Sequence, residues 1–264
     1  MPDPSLYEVL LVKIFKNHYR KGVEKFEFDR EELSKVASEL GVRLPKNLGD
    51  LIYSFRYRRK MPSEILQTAT GKKEWIIEPA GQAKYRFRLG KASRVVPRQD
   101  LLAIKLPDAT PEIIAAYALT DEQALLAKLR YNRLIDIFLG LTTYSLQNHL
   151  RTTVKGMGQI EIDEIYVGVN KNGQQFVIPV QAKGGSDQLA VVQTQQDLAC
   201  CAEKFPNLAC RAVSAQFMSD EENTIAIFEL TMEEGDVKVV EERHYRLVPA
   251  DSITDKDLKS YWAR

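Results

Sequence analysis

A chain of 264 residues with 44% hydrophobic residues has material for one large domain or two modest ones with real cores. Its formal net charge is only +1, so any field suited to a charged partner must be local. No apolar run approaches a membrane span and the polar start MPDPS is unlike a signal peptide, so a cytoplasmic protein without membrane contact is expected. Cys200, Cys201 and Cys210 lack zinc-ligand spacing, and no phosphate-cradling glycine loop is present, so neither a disulfide framework nor ATP-dependent chemistry is indicated.

In chain order, Tyr7, Leu10, Leu11 and Ile14 mark a first helix. A second is predicted after Asp29, with Asp29 and Glu32 as a cap-and-return pair, an apolar face of Leu33, Val36, Ala37 and Leu40, and Gly41 at its end. A third follows from the cap candidate Asn47, with Leu48, Leu51, Ile52 and Phe55 on one face. Two helices joined by 42–46 make a helix-turn-helix arrangement. Opposite the third helix's apolar stripe lie Tyr53, Tyr57 and Lys60, with Arg56 on its flank and Arg58 and Arg59 at its end, a set suited to a major groove and its phosphates.

The stretch WIIEPAGQAKYRFRL then reads as a hairpin turning at Pro79, Ala80 and Gly81, whose second arm alternates Tyr85, Phe87 and Leu89 with Lys84, Arg86 and Arg88. Three helices followed by a basic hairpin resemble a winged helix. Between residues 53 and 94 eleven Lys and Arg face three Glu, an excess of eight positive charges, which implies a double-stranded DNA footprint on domain 1–95. The proline-bearing stretch 96–120 is predicted as a linker.

Domain 121–264 opens on a helix over 121–139 with apolar Leu125, Leu129, Ile135 and Leu139 and a cap at Asp121 or Thr120. Asp136 or Glu122 on it could approach a site downstream. The polar run 144–155, with Asn148, His149 and Arg151, reads as a connecting loop or a phosphate contact. Next come two apolar strands around Asn172-Gly173, residues that tolerate the positive φ of a tight hairpin. With a period of two, Glu161 and Asp163 share one face of the first strand, and Gln181 and Lys183 share one face of the second; Glu164 points away.

An acid, an amide and an ammonium thus converge. Carboxylate and amide oxygens are hard ligands that Mg²⁺ accepts while keeping waters, and a neighbouring lysine can position an attacking water. Asp163 with Gln181-Ala182-Lys183 resembles the signature of the PD-(D/E)XK nuclease superfamily, with Gly158 at the motif's turn and no proline before Asp163. That resemblance implies metal ligation by Asp163 and Gln181, catalytic assistance by Lys183, and one or two Mg²⁺ ions. The family's second acid is replaced here by Gln181, which brings no charge, and Glu161 is the candidate compensating ligand.

A helix over 186–204, with Gln193 and Gln196 near one face, and a strand over 208–218 complete the order of strand pair, helix and strand that the resemblance implies; Gln196 is a candidate for reaching back toward the site. Strand-like runs at 224–232 and 237–248 extend the sheet or form a dimer surface. The expected whole is an α/β (α+β) protein: a winged-helix-like module followed by a restriction-endonuclease-like domain with a central mixed sheet flanked by helices. The expected function is a Mg²⁺-dependent endonuclease of type II restriction kind, acting as a homodimer. The rivals are a DNA-binding regulator with a degenerate nuclease-like domain, and a structure-specific repair nuclease.

Overall fold

Ser5 begins the first helix through a reciprocal cap: its Oγ accepts from Glu8 N at 3.4 Å while Glu8 Oε2 accepts from Ser5 N at 2.8 Å. The computed structural model describes residues 5–44, 48–117, 121–184, 187–218 and 224–262. Asn47 and Thr120, invoked above as caps, and Ser186, where the last predicted helix begins, lie outside them. The chain divides into two units, one comprising residues 1–95 with 152–160 and 190–192, the other the remainder.

The first unit runs α1 (Leu6–His18), β1 (Lys25–Asp29), α2 (Glu32–Leu40), α3 (Leu48–Tyr53), α4 (Ser63–Leu66), β2 (Glu74–Gly81) and β3 (Lys84–Gly90). After α3 the helix widens into a π turn over Ser54–Arg58, where Arg59 N donates to Ser54 O at 2.7 Å. Apart from Leu40, which is exposed, the predicted apolar faces turn inward: Leu10, Leu11, Ile14, Val36, Leu51, Ile52 and Phe55 pack with Trp75, Ile77 and Phe87. The three strands order as β1-β3-β2. Pro79-Ala80-Gly81 end β2 and the turn itself is Gln82-Ala83, with Gly81 (φ 133°) and Ala83 (φ 56°) taking the positive-φ positions.

The second unit begins at Val96. After the two-residue strand β4 (Arg94–Val95), the stretch read as a linker holds β5 (Ala103–Pro107) and α5 (Glu112–Tyr117). β5 pairs in parallel with a late strand, His244 opposite Ala103 to Val248 opposite Pro107, so the stretch read as a linker contributes the sheet's edge strand through 103–107. The single helix expected over 121–139 is two, α6 (Glu122–Tyr131) and α7 (Leu134–Leu139). Asn132 separates them: its side chain bonds Lys128 O, Thr110 Oγ1 and Ala109 N, and Arg133 then turns at φ 50°.

The polar run read as a loop is a long strand, β6 (Thr142–Val154), followed by β7 (Gly158–Val169), β8 (Gln175–Lys183) and the short β9 (Leu189–Ala190). Helix α8 (Val191–Lys204) starts five residues later than the reading from Ser186. Then come β10 (Ala209–Cys210), β11 (Ala212–Phe217), β12 (Ile225–Glu233), β13 (Asp236–Val248) and α9 (Asp255–Trp262). The large mixed sheet orders as β5-β13-β12-β11-β8-β7-β6, with β10 also pairing β8. β7 and β8 are antiparallel, and β8 and β11, joined through α8, are parallel. Leu125, Leu126 and Leu129 of α6 and Phe138 of α7 cover one face of the sheet against Ile178, Val180, Ala182, Val213 and Ile227. Among the described residues no helix is long and apolar enough to cross a membrane.

Candidate active site

The β7–β8 ladder runs from Val169 opposite Gln175 to Glu164 opposite Val180. Beyond that pair, side chains take over the hydrogen bonds. Asp163 Oδ2 accepts from Ala182 N at 2.8 Å, and Gln181 Nε2 donates to Glu161 O at 3.2 Å. Asp163, Gln181 and Lys183 therefore gather where the strands exchange main-chain pairing for side-chain pairing.

Burial raises the Asp163 carboxyl to about 6; the Lys183 ammonium and the Ala182 N–H oppose that rise, and Glu122 adds to it. Lys183 Nζ lies 2.7 Å from Glu122 Oε1, at the start of α6. Asp121 caps that helix by accepting from Ala124 N at 2.9 Å. Gly184 lets the strand end abut the cap: a Cβ there would stand 2.8 Å from Asp121 C and 2.9 Å from Glu122 N. Of the two acids considered on this helical stretch, Glu122 reaches the site. Asp136 instead accepts from Thr143 N and Oγ1, both at 2.8 Å, and pairs with Arg133.

Gln181 is 1% exposed and Asp197, from α8, 2%. Gln181 Nε2 donates to Asp197 Oδ1 at 3.1 Å, and Gln193 Nε2 lies 3.4 Å from Gln181 Oε1. Burial holds the Asp197 carboxyl well above the usual carboxylate range, opposed by the Gln181 hydrogen bond and reinforced by the charge of Asp163. Asp197 is the residue that the sequence reading missed. Its signal was an acid on the face of α8 that also carries Gln193 and Cys200 at helical spacing. Gln196 is buried, while Gln193 is the glutamine that meets Gln181.

Glu161 shares Asp163's face but is held elsewhere: Arg151 Nε is 3.2 Å and His149 Nδ1 3.3 Å from its carboxylate. His149 stands mid-strand at φ 49°, and its Nε2 meets Gln123 Nε2 at 3.1 Å. Glu164 does point away, as the alternation implies: it is fully buried, with Arg130 at 3.0 and 3.1 Å and Ser145 at 2.5 Å.

Among the described residues no three His, Cys, Asp or Glu side chains form a cage for a metal ion. The oxygen set at the site is two carboxylates, Asp163 and Asp197, with the amides of Gln181 and Gln193, and Gln193 Oε1 is buried without a donor. One or two carboxylates with neutral oxygens suit Mg²⁺, which retains waters for a substrate.

In the first unit, Tyr53, Arg58, Arg59 and Lys60 are exposed at the end of α3 and its π turn. Tyr53 and Tyr57 rings lie 4.7 Å apart, Arg58 sits over Tyr53 at 5.1 Å, and Arg56 is half-buried over Tyr57 at 4.8 Å. The β3 cations are compensated by acids on the neighbouring strands. Arg86 pairs with Glu27 at 2.5 Å, Arg88 with Glu78 at 2.7 Å and Lys84 with Asp29 at 3.9 Å. The sequence tally over 53–94 omitted Glu27 and Asp29, which β1 brings opposite β3. No family model, curated protein or solved structure matches this chain.

Proposed function

We propose that this protein is a Mg²⁺-dependent DNA endonuclease of the PD-(D/E)XK kind, and that type II restriction is the activity it serves. The observation that carries the reading is the meeting of Asp163, Gln181 and Lys183 at one end of the β7–β8 pair, with Glu122 and Asp197 brought in from α6 and α8. The meander β6-β7-β8, the crossing helix α8 and the parallel strand β11 supply the core order the resemblance implies. The α1-β1-α2-α3-β2-β3 unit, with its exposed Tyr53, Arg58, Arg59 and Lys60, supports a winged-helix-like DNA reader.

In this reading Asp163, ionised near neutral pH, and the Gln181 oxygen hold the cation, which supplies Lewis acidity at the scissile phosphate. Lys183, tethered by Glu122, orients the attacking water and faces the negative charge that grows on the phosphate oxygens. Cleavage of both strands suits a homodimer with two-fold symmetry. Glu161, engaged by Arg151 and His149, serves better as an anchor for those cations than as a metal ligand.

Supercoiled plasmid incubated with Mg²⁺ should be cut by the wild-type chain, and Asp163→Ala and Lys183→Ala should each lower the rate at least about 100-fold. Intact plasmid with wild-type protein, or cutting at the wild-type rate by both variants, would sink the catalytic reading. Sequencing the ends separates restriction, with one recognition site, from junction-dependent repair cutting. A second reading, a DNA-binding regulator with a silent nuclease-like domain, is favoured by the neutral Gln181; it expects DNA binding with no cleavage.

A further inference from the structure

The face of the sheet that carries Asp163, Gln181 and Lys183 does not end with β8. β11 pairs with β8 in parallel, Ser214 beside Gln181 and Gln216 beside Lys183. Paired residues of neighbouring strands share a face, so Gln216 continues the row that Lys183 begins. On its other side stands Ala226 of β12, whose methyl group offers neither donor nor acceptor. The alternate residues Ala182, Val213 and Ala215 pack into the core on the opposite face. Gln216 is 6% exposed, and its Oε1 is buried without a hydrogen-bond donor. An apolar side chain would fill such a place at less cost, because a buried acceptor with no donor has lost its hydration uncompensated. A ligand that brings a donor explains the amide. Lys183 indicates which ligand. Its ammonium has N–H donors and no acceptor, so a water that it orients must turn its own protons toward other groups. Of the carboxylates nearby, Asp163 accepts from Ala182 N and Glu122 from Lys183 itself. Neighbouring strands stand about 4.8 Å apart, a separation that two hydrogen bonds meeting at one water oxygen span.

We infer that Gln216 is a catalytic residue of the proposed site: its Oε1 accepts one O–H of the attacking water while Lys183 Nζ donates to the same water oxygen. The water is then held between β8 and β11 with a lone pair directed at phosphorus. Gln216 orients it and takes no proton from it. The inference rests on the nuclease reading and extends its machinery to β11.

A crystal structure of the full wild-type chain should show an ordered water within hydrogen-bond distance of both Gln216 Oε1 and Lys183 Nζ; no water there overturns the inference. Plasmid cleavage kinetics are then compared for wild type, Gln216→Met and Gln216→Glu, with thermal melts confirming folding. Gln216→Met keeps the length of the side chain but offers only a weak acceptor, and should lower kcat about 100-fold while KM stays within about threefold. Gln216→Glu restores the acceptor, should hold kcat within about tenfold of wild type, and should add a limb that rises with pH as the new carboxyl ionises. A purely structural amide gives the opposite pattern: Gln216→Met melts higher than wild type and cuts at the same kcat. That result, or a change in KM alone, overturns the inference and leaves the nuclease reading standing. If Gln216→Met fails to fold, the ordered water and the pH limb of Gln216→Glu decide. Plasmid left intact by the wild type overturns the nuclease reading and this inference with it.

Discussion

Under the proposed function, Asp163 sets stability against activity at a single carboxyl. Its folded-state value of about 6 lies above the ordinary 3.8, so between those two pH values the folded chain binds more protons than the unfolded one. The sign follows: there is no penalty below about pH 3.8, stability falls as pH rises from there to about 6, and the full cost, at most about 3 kcal/mol, applies above that. Asp163→Asn should therefore raise the melting temperature at pH 8, with the gain shrinking toward zero near pH 4, while cleavage is lost. A stability difference that is the same at both pH values would remove burial as the cause. The convergence of Asp163 and Lys183 was legible, because alternation along a strand is a property of adjacent residues. Glu122 and Asp197 were not assigned, since they join the site from helices about 60 residues before Lys183 and 16 after Gln181.

At the scale of elements, the end of β8 and the start of α6 meet through Gly184, where a side chain has no room. Gly184→Ala should push the Asp121 cap away, cost about 1–3 kcal/mol as overpacking does, and loosen the Lys183–Glu122 pair. Denaturant melts combined with the plasmid assay check this; unchanged stability and cutting would mean that α6 is free to shift. Helix α1 with its reciprocal cap and the β7–β8 hairpin around Asn172-Gly173 follow their local signals closely, whereas α2 keeps only half of the expected pair: Asp29 N donates to Glu32 Oε1 at 2.8 Å, but Glu31 holds the cap position without a side-chain bond. β6 does not. Its exposed polar residues resemble a loop, and it is a strand because it lies at the edge of the large sheet, where pairing on one side leaves most side chains in water.

For the molecule as a whole, the distribution of charge matters more than its sum. Arg58 and Lys60 are exposed beside Tyr53, whereas Arg86 and Arg88 sit opposite Glu27 and Glu78. Alanine at Arg58 or Lys60 should weaken binding to double-stranded DNA and lower the salt slope by about one each, while Arg86→Ala should leave the slope nearly unchanged. Fluorescence anisotropy at two salt concentrations distinguishes the cases; an Arg86→Ala effect as large as that of Arg58→Ala would return the basic hairpin to the interface.

The amino-acid sequence by itself determined the mixed α and β character, the break near residue 95, the buried faces of the N-terminal helices apart from Leu40, and the central hairpin that carries Asp163, Gln181 and Lys183. All of these depend on periodicity, capping and turn chemistry within a few residues. Only the tertiary structure decided that Ala103–Pro107 completes a sheet edge, that Glu27 answers Arg86, and that Asp197 stands behind Gln181. Such pairings depend on which strands become neighbours and on which face a helix returns, and both are set by packing the whole core.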